Sequence, residues 1–244
     1  MSEDRSVFDI PAPPSVKAIS YGDHPDQFIE FFPSSSVSAK KLGIIHGGYW
    51  RPEYDLSYLR PFAARCAEEG FETYLIEYRR TLGIPDNYID DIRAAVEVIG
   101  ECALVGHSAG GHLALLASKL PLVKSVVALA PVTDLVRGAE LNLDDGGVQL
   151  FLGEDATNRP DLDPMMLEEL HAKVTVLHGV NDIRVPVEFA QQFAKKFRDV
   201  EYIEIADIGH FEVIDPRVDS IFQLVLRGAG RARTDDDGIM SSGL

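Results

Sequence analysis

From residue 42 to residue 225 the chain alternates short apolar runs with stretches whose apolar residues recur at helical spacing, and few folds accept that order. Leu42 to Ile45, Phe71 to Tyr78, Cys102 to Val105, Val123 to Ala130, Val174 to His178 and Tyr202 to Ile205 read as buried strands. Between them lie helical stripes: Leu59, Phe62, Ala63 and Cys66, then Ile89, Ile92, Val96 and Ile99, then Leu113, Leu116, Ala117 and Leu120. Phe189, Ala190, Phe193, Ala194 and Phe197 give another. A helix from Pro216, with Val218, Ile221, Phe222 and Val225 inward, closes the domain. Strands alternating with amphipathic helices imply right-handed crossovers. The expected class is α/β, a mostly parallel central sheet with helices on both faces. Ligand sites in such sheets sit at the carboxyl ends of the strands.

The expected organisation is a Pro-rich lead-in over 1–14, one domain over 15–227, and a Gly-, Arg- and Asp-rich disordered tail over 228–244. Val16 to Tyr21 and Phe28 to Phe32 open the domain as a hairpin. Residues 133–170 hold Asp144-Asp145-Gly146-Gly147, Phe151-Leu152-Gly153 and Asp163-Pro164, with no strand of their own. They read as a short cap insertion, a candidate lid or substrate wall.

Composition excludes several functions. A formal net charge of −16 argues against nucleic acid and anionic membrane surfaces as partners. No apolar run approaches the roughly 18 residues of a membrane span. Met1 to Phe8 is polar and charged, without a signal-peptide core, so a cytoplasmic location is expected. Cys66 and Cys102 read as small unpaired core residues of a reducing compartment. The expected partner is a small-molecule substrate, with a homodimer as an option; no cofactor and no metal site are expected.

Chemistry enters at Gly106-His107-Ser108-Ala109-Gly110, which stands between a strand and a helix. In that context the Gly-x-Ser-x-Gly pattern marks a nucleophile on a sharp turn. Flanking glycines keep strand and helix from colliding with the loop. The helix N-terminus behind it favours developing negative charge.

A serine hydroxyl needs a base to take its proton. His210, in Asp207-Ile208-Gly209-His210-Phe211 after the last strand, can reach over Ser108 without distorting any element. His107 is expected to turn into the sheet, and His46 to brace its loop. Asp182, in the loop after the penultimate strand, is the expected acid, and Asp134 is the competing one, otherwise a helix cap. The order Ser, Asp, His is that of the α/β-hydrolase arrangement. Acyl transfer also needs backbone donors for an oxyanion. Ala109 supplies one amide, Gly48 and Tyr49 the others, with Gly47 as the alternate.

The chain resembles the α/β-hydrolase superfamily over roughly residues 15–227. Within it, His46-Gly47-Gly48-Tyr49-Trp50 is similar to the His-Gly-Gly-x-Trp motif of serine-dependent kynurenine formamidases (arylformamidases). Residues 106–114 and 210–214 also resemble that family's nucleophile and histidine segments. The resemblance implies an α/β-hydrolase fold, a triad of Ser108, Asp182 and His210, and hydrolysis of N-formyl-L-kynurenine to formate and kynurenine. Tyr49, Trp50 and Phe151 would then supply an aromatic substrate wall, and Arg51, Arg137 or Arg184 would bind a substrate carboxylate. Two further readings stay open: a carboxylesterase of the hormone-sensitive-lipase-like type or small-peptide hydrolase with the same triad, and a non-catalytic binding protein of the same fold.

Overall fold

A computed structural model describes residues 3–11 and 13–231. The expected tail from residue 232 onward lies outside the described residues, while 228 ends a helix. Eight strands form one sheet: β1 (Lys17–Ser20), β2 (Phe28–Phe32), β3 (Lys40–Ile45), β4 (Phe71–Ile76), β5 (Cys102–His107), β6 (Val123–Leu129), β7 (Lys173–Gly179) and β8 (Glu201–Ile205). Their order across the sheet is β1-β2-β4-β3-β5-β6-β7-β8. β1 and β2 pair antiparallel, as does β2 with β4; every other pairing is parallel.

The opening hairpin and the later alternation therefore stand as the sequence pattern implies. β5, buried along its whole length, has parallel neighbours on both sides, which explains its unbroken apolar run. The helices are α1 (Arg60–Glu68), α2 (Asp86–Ile99), α3 (Ala109–Ala117), α4 (Leu135–Glu140), α5 (Gly147–Leu152), α6 (Glu188–Lys196) and α7 (Asp219–Gly228). They divide between the two faces of the sheet and close two hydrophobic cores. α2, α3 and α6 cover one face through residues such as Ile92, Leu113 and Phe193. α1 and α7 cover the other, where Phe62 meets Phe222 edge-on at 5.3 Å. Among the described residues no helix is long and apolar enough to cross a membrane.

Two boundaries differ from expectation. The last helix starts at Asp219 rather than Pro216. Asp215 accepts from the Arg217 amide at 2.8 Å and also grips its guanidinium, holding that stretch as a turn. The lead-in reaches the core, beyond the domain's expected start at residue 15. Ser6–Asp9 forms a 3-10 turn with Val7 buried in the core of the α1/α7 face.

Residues 133–170 contain α4, α5 and three 3-10 turns, at 156–158, 160–162 and 164–166. Val148, Phe151, Leu152 and Leu162 from this segment are buried in the other core. His112 of α3 donates from Nε2 to the Leu162 carbonyl at 2.8 Å, fastening the segment to the helix behind the nucleophile turn.

The turn from β5 into α3 is a crossing of main chain against main chain. A Cβ on Gly110 would overlap the main-chain oxygens of Ile45 and His46, and one on Gly106 would overlap that of Gly110. Backbone cannot yield as a flexible side chain can. Gly110→Ala should therefore lower stability by about 2 kcal/mol or more, the scale of a forced core overlap. The shift in urea midpoint measures it, and an unchanged midpoint would show that the crossing has slack.

Candidate active site

The carboxyl ends of β3, β5, β7 and β8 bring the separated motifs together. Ser108 follows β5 with φ +57° and ψ −119°, a strained conformation for a residue with a side chain. Its amide donates to Leu129 at 2.8 Å and its carbonyl accepts from His112 at 3.1 Å, so strand β6 and helix α3 hold the strain in place. Among the described residues, no hydrogen bond engages its hydroxyl. Only 2% of the residue is exposed.

His210 and Asp182 meet from different loops. His210 Nδ1 lies 2.7 Å from Asp182 Oδ2, in position to donate to it. The other carboxylate oxygen accepts from the amides of Arg184 at 2.8 Å and Val185 at 2.9 Å. His178 adds a third source: its Nε2 is 3.2 Å from Asp182 Oδ2 and 2.9 Å from the Val185 carbonyl. Burial pushes the Asp182 carboxyl upward, but His210 and His178, by charge and hydrogen bond, overcome it and hold the group well below 3.8. The two loops are sewn by backbone bonds, Val180 to Ile205 and Asn181 to Ile208, each 2.9 Å. A Cβ on Gly179 would overlap the Ile208 main chain, so the acid loop leaves β7 directly against the histidine loop.

Asp134 is not brought to the site chemistry. It caps α4, accepting from the Arg137 amide at 2.7 Å.

The 46–50 loop approaches Ser108 from β3. A Cβ on Gly47 would stand 2.9 Å from Ser108 Cβ and 2.7 Å from the His107 carbonyl oxygen. The amides of Gly48, Tyr49 and Ala109 have no acceptor among the described residues. Gly47 does not share that property. Its amide donates to the Tyr58 hydroxyl at 2.8 Å, which removes it from the donors available to an oxyanion. Gly48, Tyr49 and Trp50 all have positive φ, from +48° to +105°, so three consecutive residues turn the loop sharply. His46 braces it, with Nδ1 donating to the Gly47 carbonyl at 2.8 Å, Nε2 2.9 Å from Glu77 Oε1, and the ring stacked 4.3 Å from Tyr78.

The aromatic wall needs correction. Trp50 is fully enclosed, stacked on Phe151 at 4.5 Å with His112 edge-on at 5.1 Å, and its carbonyl accepts from Tyr88. A ring with no free face holds the loop rather than a substrate, and Phe151, equally buried, serves as its partner. Tyr49 is 5% exposed, and its hydroxyl donates to the Arg184 carbonyl at 2.7 Å, so its ring is tethered across the site.

Two residues that the spacing left aside join the loops. The Tyr58 hydroxyl, having accepted from Gly47, lies 3.1 Å from His107 Nδ1, and His107 Nε2 donates to the His210 carbonyl at 2.9 Å. Burial, reinforced by neighbouring His210, pushes the His107 imidazole down to about 3, so it stays neutral with Nδ1 free to accept. His107 therefore does not simply turn into the sheet, as expected; it ties the 46–50 loop to the His210 loop.

Of the three candidate arginines, Arg51 is bound to Asp144 and Arg137 to Glu140 and Glu188. Arg184 is bound to Glu3.

Two outcomes follow for the acids. Asp182→Asn should cut turnover of an ester substrate by roughly a thousandfold or more, since the histidine loses its orienting carboxylate. Asp134→Asn, which still caps, should leave turnover near that of the parent protein; the reverse ranking would reassign the acid. Stability adds a pH signature. Folded Asp182 binds its proton less readily than the unfolded residue, so its contribution is complete above 3.8 and fades as pH falls below it. Asp182→Asn should flatten that acid limb in a series of thermal melts.

The comparisons bear on the fold that carries this site. The sequence model described as Alpha/beta hydrolase family matches residues 44–178, more than half of the chain; the match includes Ser108 and ends before Asp182 and His210. Among curated proteins, none matches. A provisionally named thioesterase from Silicibacter sp. TM1040 is 25% identical, with a TM-score of 0.70 over 84% of this chain and 82% of its own. The propionate-bound esterase Est2 of Thermogutta terrifontis is 18% identical, with a TM-score of 0.69 over 88% of this chain and 93% of its own. Esterase B of Lactobacillus rhamnosis, in an inhibited form, is also 18% identical, with a TM-score of 0.72 over 90% and 88%. At 18% identity these last two speak for the fold. Sheet order, nucleophile turn and matched segment lead to one statement: the chain belongs to the Alpha/beta hydrolase family.

Proposed function

We propose that the protein is a serine hydrolase of short-acyl carboxylic esters, working through Ser108, His210 and Asp182. The observation that carries this reading is the meeting of a strained, unengaged serine, a carboxylate-bound histidine and unpaired amides at one end of the sheet. In the proposed reaction His210 Nε2 takes the Ser108 proton as Oγ attacks the ester carbonyl. Asp182, accepting from Nδ1, fixes the tautomer and stabilises the imidazolium. The amides of Ala109, Gly48 and Tyr49 receive the oxyanion, with the first turn of α3 behind it. His210 then returns the proton to the leaving oxygen, and water, activated by the same base, releases the acid from Ser108.

A short acyl group is proposed because the 46–50 loop presses against the nucleophile at Gly47. The esterase neighbours support the ester reading by analogy of fold. The same tightness favours a second reading, hydrolysis of an aryl formamide. Formyl is the smallest acyl group, and the motifs at 46–50, 106–114 and 210–214 resemble those of the arylformamidases. The burial of Trp50 takes away the aromatic wall on which that reading leaned, so the ester comes first.

Parallel assays of p-nitrophenyl acetate and N-formylkynurenine rank the two. Higher kcat/KM on the acetate is expected; the opposite order would make the protein a formamidase. Ser108→Ala should retain the circular-dichroism spectrum while losing at least roughly a thousandfold in kcat. Activity retained in that variant would refute the mechanism under both readings.

A further inference from the structure

The segment before β1 lies over both halves of the site. Phe8 packs edge-on against Phe211 at 4.8 Å and tilted against Tyr58 at 5.6 Å. Phe211 adjoins His210, and Tyr58 holds the Gly47 amide, so one ring bridges the histidine loop and the oxyanion-side loop. Arg5 lies over the Phe8 and Phe211 rings at 5.2 and 5.6 Å. Glu3 reaches farthest. Its two carboxylate oxygens take Arg184 Nε at 2.7 Å and Nη2 at 2.9 Å, across 181 positions of sequence.

Arg184 is placed unlike the other two candidates. Its amide donates to Asp182, its carbonyl accepts from Tyr49, and its guanidinium stands 5.4 Å from the centre of the Phe211 ring. The main chain thus fixes it between the acid and the oxyanion-side loop, with its charge on the His210 side. That is the side to which a leaving group departs, because His210 must protonate it. The partners of Arg51 and Arg137 come from the domain itself, whereas that of Arg184 comes from a segment preceding the first strand. A cavity of about 240 Å³ touches Glu3 and His210 but not Arg184; the Arg184 side chain is itself 31% exposed, so solvent reaches the pair.

We infer that Arg184 is the anchor for a carboxylate carried on the leaving group of the substrate, and that Glu3 occupies this anchor until substrate displaces it. The inference rests on the hydrolase reading above and names its substrate class: short-acyl esters of carboxylate-bearing alcohols or phenols. A guanidinium edge binds one carboxylate in bidentate fashion, so Glu3 and such a substrate compete for the Nε–Nη2 edge. Neutral esters gain nothing from the anchor and do not have to displace Glu3.

The test compares 3-acetoxybenzoate with phenyl acetate, matched substrates that differ by the carboxylate. The quantity read is the ratio of their kcat/KM values. Arg184→Met should lower the ratio roughly threefold to tenfold, the range expected for loss of one partly exposed charge-assisted pair. Glu3→Gln should raise the ratio, through a lower KM for the benzoate. Ratios equal in all three proteins, or a lower ratio in Glu3→Gln, would overturn the inference and leave the pair as a structural clasp. Calorimetric binding of 3-hydroxybenzoate separates this from failure of the hydrolase reading. Arg184-dependent binding, tightened by Glu3→Gln, with no turnover of either ester would keep the anchor and sink the hydrolase. Turnover of phenyl acetate with no Arg184-dependent preference in either assay would do the reverse.

Discussion

The contact of the Gly110 main chain with the last carbonyls of β3 sets the rest of the molecule. Helix α3 can begin directly behind Ser108 only because nothing but a glycine hydrogen stands between it and the oxygens of Ile45 and His46. With the helix that close, the loop leaving β3 lies within a methyl's width of the serine. The amides of Gly48, Tyr49 and Ala109 are left without an acceptor among the described residues. The strain at Ser108 is maintained by two hydrogen bonds to rigid elements, which is how a costly backbone conformation persists.

Asp182 shows a different economy of design. Four donors from three sources surround it: one imidazole in front, a second behind, and two amides of its own loop. A buried carboxylate is tolerated when its lone pairs are used, and here they are. The consequence for His210 is orientation, because no other acceptor position is left for its Nδ1 to choose. His178, the penultimate residue of β7, supplies the donor behind and also sets the loop through the Val185 carbonyl. That residue could be read from sequence only as the last one of a strand.

Much of this was legible in the chain itself. Buried parallel strands are continuous apolar runs, and the runs from Leu42 to Ile205 locate strands of the sheet. The residues of the site sit in turns whose glycines and polar side chains stand out against those runs. What stayed hidden depends on long-range contacts. Trp50 looks like a substrate ring only through the resemblance of its loop, yet Phe151, far along the chain, closes over it. Gly47 looks like a donor until Tyr58 arrives from the segment ahead of α1. The lead-in looks like a polar arm, and only the packing of Val7 and Phe8 shows it as part of the domain. No periodicity encodes a hydrogen bond between loops.

The path from the Gly47 amide through Tyr58 and His107 to the His210 carbonyl ends at backbone on both sides. The register between the 46–50 loop and the His210 loop is therefore set from one main chain to the other through two side chains, one of them a neutral imidazole that ordinary acidity does not charge. Side-chain changes that spare Tyr58 and His107 would leave that register alone. In evolutionary terms, such a molecule can change what it accepts without having to rebuild how it reacts.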